Sequence, residues 1–403
     1  MTGLTPTERR AALALGILFA FRMMGLFMIL PVFALYAHQL PDSSPWLVGL
    51  ALSAYGLTQA ILQIPFGLWA DRWGRKPVMV VGLLLFAAGG LVAAFSTTLW
   101  GVLLGRALQG GGAISAAALA LLSDLTRPSH RSTAMAIVGM SIGLSFACSL
   151  ILGPVLEPLI GVPGLFGLTT GMALIGLVLL FVLVPPAPPL PVATRYDRSA
   201  WAEVLGNGTL WRLNFGVFTL HLLITALFTA FPLVLRDQAG LDKAMHWQVY
   251  LPVLLLSAVV VFPLLRQIER RRLAHWALPV AAAALTLGNL GFYLLPTQVW
   301  GLSGALLLFF LGFNLLEASL PAWLSRLAPP TRKGAAMGVY ATLQFLGAFA
   351  GGTCAGLLQQ YAGTGAVFLG CAGLAGVWFL FSVRLPLHLP HPAVPTPAAS
   401  VTS

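Results

Sequence analysis

Two apolar stretches, Trp46 to Trp69 and Val78 to Phe95, meet at one short charged break, Gly67-Leu68-Trp69-Ala70-Asp71-Arg72-Trp73-Gly74-Arg75-Lys76-Pro77. Each stretch falls in the range of roughly 18–25 residues that lets an α-helix cross a bilayer. The break holds one acid, three basic residues, two glycines and a proline. A tight charged hairpin between two spanning helices suits few protein classes, and its basic residues mark one face of the membrane.

The rest of the chain repeats this pattern. Of 403 residues, 58% are hydrophobic and 8% charged, with a mean hydropathy of +0.90; a soluble domain carries about a quarter charged residues. Twelve apolar spans are expected, at 11–37, 46–69, 78–96, 99–123, 132–157, 163–185, 210–235, 246–265, 274–295, 299–324, 334–360 and 364–383. The first is too long for a signal-peptide core and is read as a retained helix. Turn-formers such as Pro41-Asp42-Ser43-Ser44-Pro45 and Thr126-Arg127-Pro128-Ser129 separate the spans. The longest interruption, rich in proline, divides the chain. The expected organisation is a six-helix half over 1–185, a linker over 186–208 with a short amphipathic piece near Trp201 to Leu205, a second half over 209–385, and a disordered tail over 386–403. The fold class is all-α integral membrane. Cys148, Cys354 and Cys371 all sit in apolar segments and imply no disulfide framework.

The net charge of +11 could suggest a nucleic-acid partner, but its distribution argues against one. With the N-terminus cytoplasmic, the inner segments hold 18 of the 22 basic residues; only Arg236 and Lys243 lie outside, and Arg22 and Arg106 lie within spans. That asymmetry places both termini on the cytoplasmic side of twelve crossings.

An internal repeat supports two halves. Ser123-Asp124-Leu125 and His130-Arg131-Ser132-Thr133-Ala134-Met135 correspond to Ser325-Arg326-Leu327 and Arg332-Lys333-Gly334-Ala335-Ala336-Met337, displaced by 202 residues without a gap. An even number of spans separates the copies, so the repeats are parallel. Such halves assemble around a midplane cavity and rock for alternating access.

Twelve helices in two parallel halves, with Gly67–Pro77 between the second and third, resemble the major facilitator superfamily. Arg106-Ala107-Leu108-Gln109-Gly110 is similar to the family's second motif, and Gly139, Gly143 and Gly153-Pro154 partly match a third, associated with antiporters. Glu8-Arg9-Arg10, Arg22-Met23, Leu30-Pro31-Val32, Tyr55 to Ala60, Gln63 to Gly67, Leu121 to Arg127 and Met337 to Tyr340 resemble a bacterial inner-membrane branch of that family. One member of that branch carries a small soluble domain after its last helix. Here a Pro- and Ala-rich tail stands instead, so no role of such a domain is carried over.

In the charged break, Gly67 allows a neighbouring helix close, Gly74 permits a turn, and Pro77 suits the first position of the third span. The resemblance implies that Asp71 faces the positive end of span 11 near Gly334 and that Arg75 pairs with Asp124. Gly67, Asp71, Arg72, Gly74, Arg75 and Asp124 would then form a latch holding the outward-facing state. The alternative is a set of positive-inside anchors. The corresponding loop of the second half, Arg266 to Arg272, lacks both glycines.

Charges within spans are costly in lipid and are functional candidates by default. Glu317, with Asn314 one turn away, is the leading proton carrier; a structural carboxylate is the alternative. His221 titrates near neutrality and is a second carrier or a packing residue. Arg106 with Gln109 reads as a cavity pair that tunes a proton site or holds substrate. Arg22 either contacts substrate or bonds between helices. Tyr55, Gln59 and Gln63 form a polar stripe on span 2, repeated by Tyr340 and Gln344 on span 11, either lining the cavity or joining helices. Two buried arginines against one glutamate favour a neutral, zwitterionic or anionic substrate over a lipophilic cation.

The expected function is secondary transport by alternating access: proton-coupled efflux of a small amphipathic compound by a monomer in the bacterial inner membrane. The proton gradient drives it, with no cofactor and no metal. Symport, uniport, or a receptor or scaffold role on the same fold are the alternatives. An enzyme is not expected, since neither HExxH nor a paired-carboxylate cluster occurs.

Overall fold

The computed structural model describes residues 3–186, 198–271, 273–329 and 332–384. The expected tail and residues 187–197 of the expected linker lie outside the described residues. Among the described residues all regular structure is helical. Span 1 is α1 (Pro6–Phe27) and α2 (Leu30–Ala37), span 2 is α3 (Pro45–Trp73), span 3 is α4 (Arg75–Phe95), and span 4 is α5 (Leu99–Gly111) with α6 (Ser115–Asp124). Spans 5 and 6 lie within α7 (Arg131–Val182), and α8 (Arg198–Gly206) falls at the expected amphipathic piece. Spans 7 to 12 are α9 (Gly208–Asp237), α10 (Trp247–Arg271), α11 (Ala274–Leu294), α12 (Val299–Leu327), α13 (Lys333–Ala362) and α14 (Thr364–Arg384).

Local chemistry sets these limits. Thr5 and Glu8 form a reciprocal capping box at the start of α1. Ser44, Thr98 and Asn207 cap α3, α5 and α9 through side-chain oxygens. The helical stretch Pro128–Val182 covers 55 residues, or ~80 Å at ~1.5 Å per residue, more than twice a hydrocarbon core of about 30 Å. It therefore cannot cross once. The chain leaves helical geometry at Gly161, whose φ is +68°, and the two arms supply spans 5 and 6. With this fold-back, eleven long apolar helical stretches give twelve crossings.

Three details differ from the sequence expectation. Span 2 runs on to Trp73, and span 3 starts at Arg75, making Pro77 its third residue rather than its first. The turn itself is made by Gly74 at φ +100°, a conformation side chains resist. Span 4 is broken between Gly111 and Ser115, so Gly110-Gly111-Gly112 both packs tightly and interrupts a helix.

The helices pack so that span 2 lies along span 11, span 1 along span 5, span 7 along span 11, and span 9 between spans 10 and 12. Close approach is concentrated at the end remote from Gly67–Pro77. A Cβ on Gly49 would stand 2.1 Å from the Gly352 carbonyl, and one on Gly356 2.5 Å from that of Pro45. There Ser53 meets Thr353 at 3.2 Å, and Lys243 bonds Glu157 at 2.9 Å. At the Gly67–Pro77 end a Cβ on Gly334 would meet nothing within 4 Å, and the Asp71 side chain is 56% exposed. The bundle is closed at one end. Exposed Leu13, Phe95, Trp100, Phe181, Phe262 and Trp300 belong to the apolar outer surface expected of a protein in lipid.

Candidate functional site

Two polar groups lie deep in the spans. The first is built on spans 1, 2 and 4. Arg22 donates from Nη2 to the Tyr55 hydroxyl and to Gln59 Oε1, both at 2.7 Å, and to the Gly112 carbonyl at 2.9 Å. Span 4 breaks there, so in place of a regular helical bond this carbonyl accepts from the Ile114 N–H at 2.8 Å and keeps a lone pair for Arg22. Ser115, at 3.3 Å from Nη1, opens the next helix. Arg106 donates to the Leu52 carbonyl at 3.0 Å and to Gln109 at 3.2 Å. Both guanidinium carbons lie within 6.0 Å of the Tyr55 ring centre, a distance at which a ring attracts a cation. Gln59 bonds Gln63, and Gln109 bonds Thr169 of span 6. Arg22 and Arg106 are 2% and 1% exposed, and Gln59 and Gln109 are fully enclosed.

The second group joins spans 7, 10 and 11. His221 Nδ1 lies 3.2 Å from the Val217 carbonyl, and its Nε2 lies 2.8 Å from Gln344 Nε2. Since the amide nitrogen only donates, the network assigns the proton to Nδ1 and leaves Nε2 as acceptor. Glu317 Oε2 stands 3.8 Å from the same Nε2, buried and without a hydrogen-bond partner. The remainder of the Glu317 side chain is open, at 41% exposure. Tyr340 is buried on span 11, one turn from Gln344. Asn314 turns to Ser257 of span 8, at 2.9 Å, rather than to Glu317.

Sequence reasoning placed Arg106 with Glu317 and His221 as proton-coupling residues. The structure brings Glu317 and His221 together but sets Arg106 beside Arg22. Among the described residues no hydrogen bond or ion pair joins the two groups. Tyr55, Gln59 and Gln63, expected to line a cavity or join helices, are buried in this conformation; Tyr55 and Gln59 bond across to Arg22 of span 1, and Gln63 bonds Gln59 of its own helix.

In the charged loop, Arg75 bridges Asp71 and Asp124, the latter at 3.2 Å. The Arg75–Asp124 pairing matches the expectation; Asp71 meets Arg75 on its own loop, with Gly334 free of neighbours. Arg72 is exposed. Gly67 makes only an ordinary contact, with Ala116 at 3.7 Å, so the close approach expected there is absent from this conformation. On span 5, Gly153 is pressed against the Met28 carbonyl, whereas Gly139 and Gly143 meet nothing within 4 Å. Arg127, between spans 4 and 5, grips Glu8 at 2.8 Å, and this bond raises the guanidinium pKa above its ordinary value.

The sequence profile of the Major Facilitator Superfamily matches residues 15–352. The chain belongs to that superfamily. It is 43% identical to the inner membrane transport protein YajR of Escherichia coli over 93% of this chain and 83% of that one. It is 27% identical to the multidrug resistance protein MdtH of Aeromonas hydrophila, covering 84% and 85% of the two chains. A bacterial homologue of the human lysosomal transporter Spinster, in an inward-facing and occupied conformation, shares the fold with a TM-score of 0.76 and 14% identity, covering 95% and 98%. As a superfamily member the chain is a multi-pass membrane transporter of small molecules rather than an enzyme. Within that fold, sequence reasoning missed the Gly112 carbonyl as a ligand of Arg22; its signal was the triple glycine, read as packing alone.

Proposed function

We propose that the protein exports a small amphipathic compound across the bacterial inner membrane in exchange for protons, working as a monomer. The observation that carries this reading is the Glu317–His221–Gln344 group. A carboxylate oxygen, buried and unbonded, faces an imidazole lone pair at 3.8 Å, while the rest of the carboxylate is open. A proton on either group converts that juxtaposition into an attraction, and its loss removes it. Because the partners sit on spans 7, 10 and 11, the protonation state biases how span 11 stands against its neighbours. Span 11 also packs along span 2 of the other half, so the bias is delivered where the halves move.

The direction follows from the charge distribution, which puts the Gly67–Pro77 end and both termini in the cytoplasm. The conformation described is then closed to the outside, with the two halves (1–185 and 209–385) separated at the cytoplasmic end. The Asp71 latch belongs to the opposite state, which agrees with Asp71 standing exposed here. The similarity to a multidrug resistance protein supports efflux. The test is proteoliposomes loaded with a pH-sensitive dye and offered a panel of amphipathic carboxylates, neutral amphiphiles and lipophilic cations. At least one class is expected to move protons in a solute-dependent manner; a panel that moves solute without protons would refute coupling.

A further inference from the structure

We infer that the transported compound is an amphipathic carboxylate whose charge is received by Arg22 and Arg106; the inference rests on the transport reading above and names its substrate class. The two guanidiniums are permanent charges, since arginine keeps its proton in proteins. Both are sealed from water, at 2% and 1% exposure. Among the described residues no carboxylate lies within 4.0 Å of either, and every ion pair seen there lies elsewhere. Their acceptors are all neutral: one phenol, one hydroxyl, two glutamine amides and two backbone carbonyls. Each also keeps a buried Nε with no hydrogen-bond partner. Buried charges ordinarily find a counter-charge, so this pair is built to receive one.

Two of the acceptors are replaceable. Gln59 Oε1 at 2.7 Å from Arg22 and Gln109 Oε1 at 3.2 Å from Arg106 belong to side chains that can swing away. A carboxylate in their place forms charge-assisted bonds, about twice as strong as neutral ones. A cation entering the same place would meet two like charges. Access is supplied by the fold itself. Tyr55, which both arginines flank, sits at the seam between halves, its ring 6.3 Å from Phe345 of span 11. Movement of span 2 against span 11 uncovers it. The apolar body of the ligand has a surface at the same seam, where Phe345 of span 11 stands against the Tyr55 ring.

The test is calorimetric titration of the full chain in nanodiscs of zwitterionic lipid, without any pH gradient. The probes are three compounds of one shape: 2-naphthoate, 2-naphthalenemethanol and 2-naphthylmethylammonium, with chloride as a fourth arm. Naphthoate is expected to bind at least tenfold more tightly than the alcohol, and the ammonium compound not measurably. Arg22→Lys and Arg106→Lys should each weaken naphthoate at least tenfold, because an ammonium cannot reproduce the two-pronged geometry. Should either variant fail to fold, Gln59→Glu decides: an internal carboxylate beside Arg22 should raise the melting temperature and abolish naphthoate binding. No naphthoate binding, equal binding of the alcohol or ammonium compound, displacement by chloride at equal concentration, or unchanged binding in Gln59→Glu would overturn the inference. With no proton gradient present, these outcomes bear on the ligand alone and leave coupling to the dye experiment.

Discussion

The two polar groups within the spans, one in each half, are built to opposite rules. On spans 1, 2 and 4, Arg22 and Arg106 are fixed charges, sealed and held by neutral acceptors. On spans 7, 10 and 11, His221 and Glu317 are titratable, and the carboxylate is both partly open and partly unbonded. A group that exchanges protons must reach water and change charge; a group that recognises an anion must keep its charge throughout. On the proposed reading, proton traffic belongs to the later spans and ligand charge to the earlier ones, with spans 2 and 11 in contact between them.

The sharpest way to break this contrast is to remove the titratable carboxylate. Glu317→Gln should lower proton-driven accumulation at least tenfold while leaving naphthoate binding within twofold of wild type. Arg106→Lys should show the reverse, losing binding while solute-independent proton leak stays unchanged. A single variant that lost both functions equally would merge the two groups into one.

The seam between the groups can be tested next. A Cβ on Gly352 would stand 2.6 Å from the Ser53 Cβ and 2.7 Å from the Gly49 carbonyl. Gly352→Leu should therefore prevent closure at that end and trap the outward-open state. Cysteine accessibility on the outer halves of spans 2 and 11 reads this directly, with labelling rates rising severalfold. Unchanged labelling would mean that the seam does not control access.

A stability comparison follows. Arg22→Leu leaves the Tyr55 hydroxyl and the Gln59 carbonyl without this donor, while the Gly112 carbonyl keeps the Ile114 N–H. At about 1–3 kcal/mol for each buried group left unpaired, a clear fall in melting temperature is expected. Asp71→Asn should alter stability by less than about 1 kcal/mol, because the Arg75 pair is exposed on the Asp71 side. Its effect should appear instead as a shift of the conformational equilibrium toward the inward-open state. A large fall in stability with no such shift would reduce Asp71 to an anchor.

Much of this was legible in the chain. Apolar length located the spans, and Gly161 at φ +68° separates the two that share one helix, close to the expected boundary. Intramembrane cost singled out Arg22, Arg106, His221 and Glu317. What spacing could not supply was partnership. Arg22 meets Gly112, 90 residues away, only because span 4 breaks there, and helix continuity through three glycines is not a property that hydropathy reports. Gln344 meets His221 across 123 residues; the four-residue spacing of Tyr340 and Gln344 marked a polar face without identifying what it faces. Asp71 was assigned to span 11 from resemblance, and its pairing with Arg75 instead reflects a conformation in which that end of the bundle is apart.

The most direct measurement compares two modes of transport in Glu317→Gln proteoliposomes: equilibrium exchange of labelled carboxylate, and accumulation driven by an imposed pH gradient. Exchange should persist at a rate near wild type, because the arginine group and the moving seam are intact, while gradient-driven accumulation should vanish. Accumulation preserved at the wild-type level would contradict the assignment of proton coupling to Glu317 and His221.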